Sequence, residues 1–288
     1  MMKTLISSAL AAVLSTAALA ADLKISDYNP GTNGLFAVTS SLIEGPSEVI
    51  LVDAQFERDD AEELVEMIQA TGKTLTAVFI SHKDPDFYFG VDRIRETFPD
   101  VKILATPATV AGIEKTIQLK NDFWGPILGE NAPRDLIVPK VIEGSTLLVD
   151  GEEVQVVGLD GHDPAHTFLW VPSAKTVLGG VPVYENVHVW MADNQTPESR
   201  ENWRRTLDQI LALNPERIIP GHYMDDPAKD ASSVAFTRSY IAAFEEASDK
   251  LEGSAAVIAA MTAAHPGFVN TGDLELSAQV LEGERAWP

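Results

Sequence analysis

Apolar and polar positions along this chain switch between two periods, and the switches predict alternating strands and helices. Leu35–Leu42 and Glu48–Val52 are apolar runs carrying Val, Ile and Thr, joined by Glu44-Gly45-Pro46-Ser47, which predicts a hairpin-type strand pair. Arg58–Ala70 places Ala61, Leu64, Val65 and Ile68 on one stripe, the spacing of an amphipathic helix. Leu75–Ile80 is a continuous apolar run of strand length. A short helix over Val91–Phe98, a strand over Val101–Ala105 and a helix over Thr106–Leu119 follow.

The rhythm breaks at Asn121–Leu136, where Phe123, Trp124, Pro126, Gly129 and Pro133 show no period. Such a stretch predicts an irregular loop, either a lid over a site or a loop anchored by its aromatics. Strands return at Thr146–Val149 and Glu153–Val157 around Asp150-Gly151, a hairpin turn signal. Thr167–Val171 and Thr176–Leu178 continue them. Thr196-Pro197-Glu198 reads as a helix start, with Trp203, Leu207, Ile210 and Leu211 as the buried stripe. A last short strand, Arg217–Ile219, delivers Pro220-Gly221-His222, and the chain beyond Pro227 is mostly helical. Pro266-Gly267 separates Val234–Ala264 from a short final element.

Composition narrows this further. Residues 1–20 join a short basic start to an apolar segment and Ala18-Leu19-Ala20, the pattern of a cleaved export signal. A mature chain starting near Ala21, in a periplasm or the medium, is expected. Cysteine is absent, which removes thiol nucleophiles, disulfides and Cys-based zinc sites from consideration. The balance of 21 basic against 43 acidic residues argues against nucleic acid and anionic lipid as partners. A small-molecule substrate is expected, with no membrane contact after signal cleavage. Oligomeric state is unreadable.

The chemistry concentrates after the Leu75–Ile80 strand, in Ser81-His82-Lys83-Asp84-Pro85-Asp86-Phe87-Tyr88-Phe89-Gly90. One imidazole and two carboxylates at alternate positions suit half of a metal site. The same loop also reads as polar punctuation whose Asp86 caps the next helix. Of six histidines, His82, His162 and His222 each stand just beyond a predicted strand, beside Gly or Pro or at a turn. His166 reads as a hydrogen-bonding neighbour of such a site, and His265 as a surface residue.

These motifs resemble the metallo-β-lactamase superfamily. The family's H-x-H-x-D-H falls on His82-Lys83-Asp84-Pro85-Asp86-Phe87, and G-H-T-P-G-H on Gly161-His162-Asp163-Pro164-Ala165-His166. G-D falls on Gly179-Gly180, and P-G-H on Pro220-Gly221-His222; Asn186, His188 and Trp203 are similar to further family positions. The resemblance implies an αββα sandwich of two mixed β-sheets flanked by helices. It implies a metallo-β-lactamase-like domain over 21–225, with 226–288 as a helical extension packed on it.

The departures reshape what the resemblance implies. At the first metal position stand His82, Asp84 and His162, a workable single-zinc set that also suits Fe2+. At the second, Asp86 and His222 remain, while Phe87 and Gly180 replace a histidine and the bridging aspartate. One metal is therefore expected. Asp86 becomes a candidate general base and His222 a candidate for substrate or oxyanion contact. His188 and Trp124 are candidate substrate contacts, and a structural hydrogen bond is the other role open to His188. Three functions follow: an exported hydrolase acting on an ester, lactone, amide or phosphoester, a non-catalytic periplasmic binding protein, or, ranked last because the bridging aspartate is missing, an iron-dependent oxygenase-like protein.

Overall fold

The computed structural model describes residues 22–159, 163, 164 and 166–287. His162 and the expected export signal lie outside them. The chain opens on β1 (Lys24–Tyr28), β2 (Ser40–Glu44) and β3 (Glu48–Val52), then runs through α1 (Arg58–Thr71), β4 (Thr74–Ile80), α2 (Val91–Thr97), β5 (Lys102–Ala105), α3 (Pro107–Leu128) and β6 (Lys140–Val141). The second half carries β7 (Thr146–Val149), β8 (Glu152–Val157), β9 (Phe168–Val171), β10 (Thr176–Leu178) and β11 (Tyr184–Glu185). It continues with α4 (Pro197–Ala212), β12 (Arg217–Ile218), β13 (His222–Tyr223), α5 (Ala231–Lys250), α6 (Ser254–Ala264) and α7 (Thr271–Leu281).

Among the described residues one sheet runs β1-β2-β3-β4-β5-β6 and a second β12-β10-β9-β8-β7, with β11-β13 as a small parallel pair. Antiparallel β1-β2-β3 gives way to parallel β3-β4-β5-β6, so the first sheet is mixed; the parallel β10-β12 pair makes the second mixed too. The core lies in three layers. Ile50, Val52 and Phe79 of the first sheet meet Val154, Leu169 and Leu178 of the second. Leu51, Val78 and Ile80 face outward onto α1, α2 and α3 through Leu64, Ile94 and Ile113. On the far side Trp170 and Val177 meet Trp203, Leu207, Phe244, Val257 and Leu274 of α4–α7. Burial on both faces explains why β3 and β4 read as unbroken apolar runs.

Several sequence expectations are corrected. The expected loop at Asn121–Leu136 is helical as far as Leu128. Pro126 lies in the last turn, where its missing N–H orphans only one carbonyl, and Gly129 at φ 58° ends the helix. The first strand pair begins at Ser40, not Leu35, and β1 pairs with β2 outside it. Leu211 on α4 is exposed, and Thr206 and Arg200 take buried places beside Trp203. The helical C-terminus also breaks at Leu251–Gly253, with Gly253 at φ 80°.

Candidate active site

The site forms where β3, β4 and β10 end together, the edge at which α/β sheets place ligands. Register sets this: Val52 lies opposite Phe79, so Asp53 and Ser81 leave the sheet side by side. Asp53, fully buried at φ 62°, accepts the Ser81 N–H at 2.8 Å and the Ser81 hydroxyl at 2.6 Å. The Ser81 Oγ in turn accepts the Gly180 N–H at 2.7 Å. This chain of bonds pins the His82 loop to the turn after β10. Burial pushes the Asp53 carboxyl up to about 8, against the lowering effect of the two Ser81 bonds.

Two glycines are required by close backbone approach. A Cβ at Gly180 would stand 2.2 Å from the Thr167 carbonyl oxygen, with φ already at +73°. A Cβ at Gly221 would stand 2.1 Å from the Gly180 carbonyl oxygen, which explains the glycine before His222.

His82 is buried, and its Nδ1 accepts the Asp84 N–H at 3.3 Å. Burial holds its pKa down, so the ring is neutral, the state in which imidazole binds a metal. Burial works against ionisation of Asp84, and the ammonium groups of Lys120, which also donates a hydrogen bond, and Lys83 favour the charged carboxylate. Lys120, on α3, donates to Asp84 Oδ1 at 2.9 Å and to the Lys83 carbonyl at 2.7 Å. Asp86 does not cap α2; Gly90 holds that position. Its Oδ2 instead lies 2.8 Å from His222 Nε2 in a buried hydrogen bond. Tyr184 stacks on His222, with centroids 5.2 Å apart and planes at 9°. The Phe87 ring meets both His82 and His222 edge-on, at 5.4 Å each. Among the described residues, the buried His222 Nδ1 has no hydrogen-bond partner.

The other candidates have different surroundings. His166 bonds Asp163 at 2.7 Å and stacks on Trp203 at 4.6 Å. His188 is buried against α5, its Nδ1 2.9 Å from the Tyr240 hydroxyl and its ring edge-on to Phe268. This is the structural hydrogen bond that the sequence left open. His265 is not a surface residue: it is half-buried and stacks on Tyr240 and Phe268. Trp124 packs edge-on against Phe36 and Phe56, at 5.5 and 5.3 Å, and so fastens α3 to the segment before β2.

One site residue escaped the sequence reading. Asp273, in the first turn of α7, is pushed up to about 7 by burial, opposed by His222 and reinforced by Asp86 and Asp84. No family motif reaches that far, and the only local signal was an aspartate near a helix start.

The donor chemistry can be tested against the family's metals. Among the described residues no three His, Asp or Glu side chains converge as a metal-holding group. At the second position Phe87 offers no donor, Gly180 has no room for a side chain, and Asp86 and His222 bond each other; these residues do not fit an ion. At the first, neutral His82 and ionised Asp84 are suitable donors, and the third candidate, His162, lies outside the described residues.

The sequence profile of the metallo-beta-lactamase superfamily matches residues 33–222. Among solved structures, a metallo-beta-lactamase family protein from Thermus thermophilus is 15% identical, covers 91% of this chain and 91% of its own, and has a TM-score of 0.62. A metallo-beta-lactamase from Pontibacter korlensis is 15% identical over 76% of this chain and 99% of its own, with a TM-score of 0.54. At these identities the likeness is one of fold. No curated protein matches.

Proposed function

This chain belongs to the metallo-beta-lactamase superfamily, and from that premise we propose that it is a hydrolase working at the first metal position alone. His82, Asp84 and His162 would hold one zinc-like ion, with Fe2+ as the other metal suited to that set. The ion, when bound, supplies a Lewis acid that makes water nucleophilic near neutral pH. Asp86 takes the proton from the attacking water, and His222 shares that charge through the Nε2–Oδ2 bond. His222 and Tyr184 wall the space where an oxyanion develops. The observation that carries the reading is the buried 2.8 Å pair of Asp86 and His222 beside the Phe87 ring. It frees the pair from metal binding and leaves it as an acid–base couple.

The substrate is a small ester, lactone, amide or phosphoester, met in a periplasm or the medium after export. Elemental analysis of dialysed protein, paired with a hydrolysis screen over those four classes, tests this. One ion per chain with turnover of one class is expected. Two tightly held ions would overturn it. A single observation favours the binding-protein reading: Lys120 already occupies Asp84 Oδ1. Metal-free protein that hydrolyses nothing would decide for that reading.

A further inference from the structure

A cavity of about 310 Å³ opens between the segment before β2 and the start of α7. Its walls include Leu35 and Phe36 on one side and Asn270, Gly272 and Asp273 on the other. It lies beside the acid–base pair. Val38 bridges His222 across the sheet edge, and the Tyr223 N–H donates to the Ala37 carbonyl at 3.3 Å. Asp273 interacts electrostatically with His222, Asp86 and Asp84.

Three features define what this cavity accepts. Asp273 is the only charged side chain among its described lining residues. The nearby lysines are already engaged, Lys120 with Asp84 and Lys83 with Asp193. The wall across from Asp273 carries Leu35, exposed at 45%, Phe36, held in place by Trp124, and Ala37, beside the polar Thr32.

We propose that this cavity is a substrate subsite for a small apolar group bearing an ammonium, with Asp273 as its counter-charge. An apolar body covers Leu35 and Phe36, and the cation meets the Asp273 carboxylate. Anionic ligands are rejected by Asp273, Asp86 and Asp84 together. The inference rests on the hydrolase reading for what happens next to the bound molecule, but binding itself needs no turnover.

Ligand-observed NMR on the full protein at about pH 8, where a carboxyl raised to about 7 is mostly ionised, tests it with benzylammonium, benzyl alcohol and benzoate. Benzylammonium should bind about tenfold more tightly than benzyl alcohol, and benzoate should not bind. Asp273→Asn should erase the preference for the ammonium and Asp273→Glu should keep it. At Gly272 an added Cβ meets nothing within 4 Å, so Gly272→Leu should fold and weaken both ligands by obstructing the cavity. No binding by wild type, benzoate binding as well as benzylammonium, a preference that survives Asp273→Asn, or full affinity in Gly272→Leu would each overturn the subsite. A protein that hydrolyses esters but fails these tests loses only the subsite. One that passes them but hydrolyses nothing loses only the hydrolase reading.

Discussion

Asp84 and Asp86 stand two residues apart and have different surroundings, so their substitutions should separate. Asp84 faces His82 and Lys120, whereas Asp86 faces His222. Asp84→Ala should lose the ion proposed for the first position. Asp86→Asn should keep it and lower turnover by about a hundredfold or more, as removal of a general base does. Metal content and hydrolysis rate measured on both variants decide this; metal lost only from Asp86→Asn would reverse the assignment. Asp53 gives a second contrast. Asp53→Ala leaves the Ser81 N–H and hydroxyl buried without an acceptor and should cost about 2–4 kcal/mol in denaturant unfolding. The wild-type carboxyl has a folded pKa of about 8 against an ordinary value of 3.8. Between those values the folded state holds a proton that the unfolded state has released. Stability contributed by this group is therefore greatest below the lower value and falls as pH rises through the window. Asp53→Asn should flatten that decline, measured as unfolding free energy across the same pH range.

At the scale of elements, legibility followed burial. β3 and β4 are buried on both faces and were readable as apolar runs, and α1 was readable because one stripe faces the sheet. The turn at Asp150-Gly151 was equally plain, since both residues take positive φ, 50° and 87°. α3 past Leu119 was not, because Phe123 and Ile127 are exposed and the usual apolar period is lost. The histidine and aspartates of the first loop were legible by residue type, but not that Asp86 would bond His222 across 136 positions. Asp273 was illegible for the same reason: only the packing of α7 brings it to the site. α4 offers a direct check of a local element. Thr196 accepts the Ser199 N–H at 3.1 Å, and Ser199 returns a bond to the Thr196 N–H. Thr196→Ala should cost about 1 kcal/mol of stability, read from the denaturation midpoint.

Across the whole molecule, the C-terminal helices are part of the fold's third layer. Tyr240, Ile241, Phe244, Val257 and Leu274 share one core with Trp203 and Val177. A chain truncated at 225 should therefore express as insoluble or loosely packed protein, with loss of near-ultraviolet circular dichroism; a soluble, cooperatively unfolding fragment would show the layer to be dispensable. The tight meeting of three backbone segments at Gly180 has a longer reach. Thr167 leads into β9, and Gly221 presses on Gly180 from the other side, so neither neighbour can retreat without moving a strand. A substitution at 180 alone therefore cannot bring a carboxylate into the gap between His82 and His222, because its first carbon already collides with the Thr167 carbonyl oxygen. Any added side chain there must first displace β9 or the Gly221 turn, so the position behaves as a lock on the local backbone rather than as a vacant seat for a ligand.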